Sequence, residues 1–123
     1  PAITLLAQIN AQLKHLREKG VENHLAGINN IAFDFRKKIK DLPFDIIAET
    51  PSNCITGLRY NGRSEFSAYN LFYYLLDKYE IYVTPVGGKY SETDIRVSHL
   101  GDLSVQDNDL LISKIKEYLN EHR

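Results

Sequence analysis

Pro43 stops the second of two consecutive amphipathic helices and hands the chain over to short strands. Upstream, Ile3, Leu6, Ile9, Leu13 and Leu16 recur at intervals of three and four, one stripe of an amphipathic helix that Pro1 suits as a start and Gly20 ends. A second helix reads from about Glu22, with Leu25, Ile28, Ile31, Ala32, Phe35 and Ile39 on one face, and stops by Asp41 or Leu42.

Downstream the elements shorten. Asp45 to Glu49 and Cys54 to Tyr60 read as antiparallel strands around the turn Thr50-Pro51-Ser52-Asn53, and Asn61-Gly62 closes the second. A helix from Ser67 to Tyr79 is expected to turn Phe72, Tyr73, Leu76 and Tyr79 inward. Ile81 to Thr84 is a short strand, Pro85 to Thr93 a loop with paired Gly87 and Gly88, and Asp94 to His99 a last strand before Gly101. Ser104, three residues before Asp107, resembles a capping box and opens a helix with the stripe Leu111, Ile115, Tyr118 and Leu119.

The order α-α-β-β-α-β-β-α has no regular βαβ alternation. It predicts an α+β fold, a small mixed or antiparallel sheet of about four strands covered by helices on one face. At 123 residues the chain reads as a single domain, 1–123, without repeats or linkers.

A net charge of −1 leaves no electrostatic footprint for nucleic acid or an anionic membrane. No apolar run approaches the ~20 residues that span a bilayer. The lone Cys54 cannot close an internal disulfide, which points to a reducing compartment, by default the cytoplasm. With no methionine and a helical pattern from Ile3, the start reads as an excision point, although methionine removal before Pro1 leaves the same residues.

Arg96 is the residue with chemistry to offer. Between Ile95 and Val97, alternation sends it to one side of a strand with Asp94 and Ser98. A guanidinium presents a planar fork suited to a carboxylate, and a strand fixes its direction. Spacing alone also fits an exposed arginine paired with a nearby acid.

Ile81-Tyr82-Val83-Thr84-Pro85-Val86-Gly87-Gly88, a polar loop, Arg96-Val97-Ser98-His99-Leu100-Gly101, and a helix opening over Ser104 to Asp109 together resemble the closing segment of class V aminotransferases. Enzymes similar to alanine–glyoxylate, serine–pyruvate and 2-aminoethylphosphonate–pyruvate aminotransferases end this way. The opening Pro1-Ala2-Ile3 and its helix resemble the segment after the cofactor-bearing part. The resemblance implies the carboxyl-terminal small domain of a fold type I enzyme that uses pyridoxal phosphate to move an amino group between an amino acid, or an aminoalkylphosphonate, and a 2-keto acid. It further implies a homodimer, a large domain and Schiff-base lysine upstream of Pro1, and an inactive fragment.

In that family the arginine of the motif binds the substrate α-carboxylate, a role that falls on Arg96. Val97 stands for the usual isoleucine and Ser98 for the usual glycine. Ser98 and His99 are candidate neighbours of the site, His99 as an orienting or packing residue, since the resemblance gives proton transfer to the upstream lysine. Gly87 and Gly88 make a candidate active-site loop, or simply a flexible one. They lack the spacing of a phosphate cradle.

Other groups read as structural. His15, His24 and His122 have no ligand spacing, so no metal is expected. Cys54, at the start of a predicted buried strand, does not suit the exposed persulfide cysteine of the related desulfurases. Tyr69, Phe72, Tyr73, Tyr74 and Tyr79 read as core and interface, and Arg36-Lys37-Lys38-Ile39-Lys40 as a solvated helix end. The rival reading is an independent α+β module that grips a small carboxylate for binding or regulation, without catalysis.

Overall fold

In the computed structural model, residues 2–122 are described, and Pro1, read as a helix start, lies outside them. The elements follow the expected order: α1 (Ile3–Lys19), α2 (Val21–Ile39), β1 (Phe44–Ile46), β2 (Ile55–Tyr60), α3 (Ala68–Tyr79), β3 (Thr84–Pro85), a 3-10 turn (Gly88–Tyr90), β4 (Asp94–Ser98) and α4 (Val105–Glu121). The sheet runs β1-β2-β4-β3, with every neighbouring pair antiparallel. This is the predicted α+β fold, but the strands differ in extent: β1 begins one residue early and stops at Ile46, β2 and β4 each lose one residue, and β3 is displaced to Thr84–Pro85, sharing only Thr84 with the expected strand and taking Pro85 from the expected loop.

The β2/β4 pairing sorts the side chains. Leu58 lies opposite Ile95 and Thr56 opposite Val97, and all four are buried. Their neighbours Gly57 opposite Arg96 and Arg59 opposite Asp94 belong to the other face, as the period of two requires. Phe35 and Ile39 of α2, Leu71 and Leu75 of α3, and Leu111 and Ile115 of α4 close over the inner face. On α3 the inward positions are Ala68, Leu71 and Leu75 rather than the expected set: Tyr73 is exposed and Phe72, Leu76 and Tyr79 only half-buried.

Two ends of the chain's pattern behave differently from expectation. Helix α1 forms, and Gly20, at φ +81°, ends it by a backbone conformation that a side chain would disfavour. Yet no residue of α1 is buried, and Ile3, Leu6, Ile9 and Leu13 remain 46–70% exposed, so the sheet is covered by α2, α3 and α4 alone. Leu25 at the start of α2 is likewise exposed.

Helix α4 begins as its capping residues direct: Asp107 Oδ2 accepts from the Ser104 backbone N–H and from its hydroxyl, both at 2.7 Å. Asn108 ties this first turn to α2, its side-chain amide donating to the Ile31 carbonyl (3.0 Å) and to Asp34 (2.9 Å). Lys38 bridges Asp34 and Asp109 between the same two helices.

Ile115 is fully buried between α4 and the sheet. We expect Ile115→Ala to lower the unfolding free energy by about 2–5 kcal/mol, the cost of a large-to-small change in a packed core, as read from urea denaturation.

Candidate functional site

The outer face of the sheet carries an array of charge. Asp94 is 3% exposed yet ionic, because Arg59 across the strand pair grips both its oxygens, Nε to Oδ1 at 2.9 Å and Nη2 to Oδ2 at 2.7 Å. The Thr93 hydroxyl donates to Oδ1 at 2.8 Å. The Arg59 guanidinium holds the Asp94 carboxyl below the usual range, overcoming burial, which pushes the other way. Asp94 raises the Arg59 pKa in return. The Tyr90 ring lies against the Arg59 guanidinium, 4.1 Å from Cζ to the ring centroid.

Arg96 is next along this face. It is exposed, stands opposite Gly57 on one side and Thr84 on the other, and forms no ion pair among the described residues. The acid that spacing made available to it, Asp94, is taken by Arg59. Gly57 adds no side chain beside it. The result is an uncompensated planar cation on a strand hydrogen-bonded along both edges, a geometry able to receive a carboxylate in two parallel bonds.

Ser98 shares the outer face, and its hydroxyl accepts the Leu100 N–H at 3.3 Å, bracing the turn into Gly101, whose φ of +113° calls for glycine. His99 falls on the opposite side of the strand. It is 1% exposed, its ring centroid 5.3 Å from that of Phe35, and Nε2 lies 2.7 Å from the Thr56 hydroxyl. Arg36 Nε–H donates to that same hydroxyl at 3.0 Å, and His99 Nδ1 is buried with no partner among the described residues.

Burial, aided by the Arg36 charge, pushes the His99 pKa down to about 4, so the ring is neutral and turned away from Arg96. Its geometry is that of a packing residue.

The glycine loop is more ordered than a flexible connection. Val86 N–H bonds the Asp94 carbonyl (3.1 Å), Ser91 N–H that of Gly88 (3.1 Å), and Thr93 N–H that of Tyr90 (3.2 Å). Gly88 adopts φ +72° while Gly87 is extended. The loop's contribution is to deliver Tyr90 over Arg59.

Three further readings need correction. Cys54 is exposed and precedes β2, because the chain crosses to the strand only at Ile55. The basic run is not uniformly solvated, since Ile39 is fully buried and Arg36 reaches back to Thr56, Asn53 (3.1 Å) and the Ser52 carbonyl. Tyr74 and Tyr79 are neither core nor interface alone: both hydroxyls donate to Glu117 Oε1, at 3.1 and 2.5 Å. With Lys114 at 2.8 Å from the other oxygen, they hold the Glu117 pKa down at about 2, Lys114 contributing most.

A Schiff-base lysine must shed its proton. Lys38 is held as an ammonium by Asp109 and Asp34, and Lys114 by Glu117, each with a raised pKa, and the other lysines are exposed. No group of three or more His, Cys, Asp or Glu among the described residues could hold a metal ion. No helix among them is long and apolar enough to cross a membrane.

No protein-family model and no curated protein sequence matches the chain. Solved structures do. An aspartate aminotransferase of subgroup IV from Thermus thermophilus superposes with a TM-score of 0.80 at 15% identity, over 100% of this chain and 34% of that one. Ureidoglycine-glyoxylate aminotransferase from Bacillus subtilis gives 0.78 at 15% identity, over 89% of this chain and 28% of that one. Glutamate decarboxylase from Lactobacillus brevis gives 0.74 at 15% identity, over 94% and 28%. The chain therefore has a fold that occupies about a third of these longer proteins. At such identity the likeness is one of fold.

The neutral, buried His99 predicts a pH signature. As pH falls from the ordinary 6.5 toward about 4, the unfolded chain takes up a proton that native His99 refuses, so stability present above 6.5 is lost on acidification. Between pH 7 and pH 5 this amounts to about 2 kcal/mol. His99→Gln should remove that part of the slope in urea midpoints measured at the two pH values; an unchanged slope would contradict the assignment.

Proposed function

We propose that this chain, 1–123, is the carboxyl-terminal small domain of a class V pyridoxal-phosphate-dependent aminotransferase, and that Arg96 is its clamp for the substrate α-carboxylate. The observation that carries this reading is the uncompensated Arg96 guanidinium on the open face of the central strands, inside the segment Arg96-Val97-Ser98-His99-Leu100-Gly101 that resembles the family motif. The fold shared with two aminotransferases over about a third of their length supports it.

When bound, pyridoxal phosphate acts as the electron sink of amino-group transfer. In the proposed enzyme a lysine and a large domain outside this chain hold it. The chain's own contribution is orientation. A carboxylate seated in two parallel bonds on Arg96 loses rotation about the axis that points its amino-bearing carbon, and fixing that direction is worth several kcal/mol of barrier in well-oriented reactions.

Ser98 keeps the strand end taut beside the clamp through its bond to Leu100, and the Pro85–Thr93 loop lies at the mouth of the site. The substrates are a small amino acid or aminoalkylphosphonate and a 2-keto acid, and the working unit is a soluble, cytoplasmic homodimer that engages neither nucleic acid nor membrane.

In the full-length protein, Arg96→Ala should raise KM for the amino acid and the keto acid about ten- to a hundredfold, the range of a lost charge-assisted hydrogen bond. An unchanged KM would remove Arg96 from the site. The 123-residue chain alone, mixed with pyridoxal phosphate, should show no saturable, site-specific absorbance of a lysine adduct; a stoichiometric adduct on one lysine would overturn the division of labour, and a start codon just before Pro1 would favour a stand-alone carboxylate-binding module.

A further inference from the structure

Asp94 and Arg96 sit two residues apart on the same face of one strand, about 7 Å along it, within reach of a long side chain. Left to themselves, a buried carboxylate and a neighbouring exposed guanidinium attract each other strongly, the more so because the carboxylate is shielded from water. Such an internal pair would fill the fork that a substrate carboxylate has to enter. The pair does not form here. Arg59, directly across the strand pair, occupies both Asp94 oxygens at 2.9 and 2.7 Å, and Thr93 takes a further lone pair at 2.8 Å.

Arg59 is itself pinned by the Tyr90 ring, 4.1 Å from its Cζ, which the hydrogen-bonded Gly87-Gly88 loop holds in place. The other carboxylate of this face, Asp45, lies beyond Arg59 and accepts from Asn61 at 2.8 Å. Both acids carried by the strands, Asp45 and Asp94, thus have a partner other than Arg96.

We propose that Arg59 is a positioning residue for carboxylate binding: by sequestering Asp94 under Tyr90, it keeps the Arg96 fork open to substrate. This rests on the assignment of Arg96 as the clamp. Arg59 touches no substrate and acts only through Asp94. Its removal releases a competitor rather than a contact, so removing the competitor's charge as well restores binding.

The test uses the full-length enzyme and steady-state kinetics with the amino acid varied. Arg59→Met raises KM on the order of tenfold, the scale of one ion pair competing for the fork, while kcat moves by about twofold or less. In Arg59→Met/Asp94→Asn, KM returns to within about threefold of the native value, because the freed side chain no longer carries charge.

Should Arg59→Met not fold, Arg59→Lys takes its place, with a smaller rise that Asp94→Asn again removes. A KM unmoved by the Arg59 substitution, or left elevated in the double variant, overturns the proposal. An Arg96→Ala control separates the two levels: if it too is silent, the clamp itself is wrong, whereas a strong Arg96→Ala effect beside silent Arg59 variants removes only the role of Arg59.

Discussion

The antiparallel register of β4 on β2 decides where every consequential side chain of this protein points. Leu58 on Ile95 and Thr56 on Val97 form the floor against which α2, α3 and α4 pack, and the same four hydrogen-bonded positions turn Arg59, Asp94 and Arg96 to the other side. A slip of one residue would exchange the two sets, placing three charges among Phe35, Leu71 and Ile115. Burial of the aliphatic set therefore fixes the direction of the polar one, and the core's stability is what gives the guanidinium of Arg96 a rigid mount.

Around that mount, polar groups are settled in two separate systems. On the helix side, Arg36 and His99 satisfy the buried Thr56 hydroxyl, and burial with the Arg36 charge keeps the imidazole neutral. On the open side, Arg59, Thr93 and Tyr90 dispose of Asp94. Both leave Arg96 out.

Periodicity carried most of the fold. Pro43, Gly20, the Ser104–Asp107 cap and the alternation about Arg96 are local signals, set by the backbone and the nearest few side chains, and each stands where the sequence places it. What local pattern could not supply was the partner across space. Nothing near Arg59 in the chain points to Asp94, thirty-five residues away, because the pairing exists only through the β2/β4 register. On α3, helical spacing suggested Phe72, Tyr73, Leu76 and Tyr79 as the inward set, but the buried positions are Ala68, Leu71 and Leu75. The apolar stripe of α1 is weaker than that of α2, and no residue of α1 is buried, whereas α2 buries Ile28, Ile31, Ala32, Phe35 and Ile39. A signal for Arg59 was nonetheless present: a second arginine in a strand, at the parity of an outward position.

The central claim is that the open face of the sheet receives a substrate carboxylate at Arg96, and a crystal structure of the full-length protein with a bound 2-keto acid tests it most directly. The account predicts both carboxylate oxygens at about 3 Å from the Arg96 guanidinium, with Arg59 still on Asp94. A keto acid bound elsewhere, with Arg96 in solvent or folded onto Asp94, would contradict it.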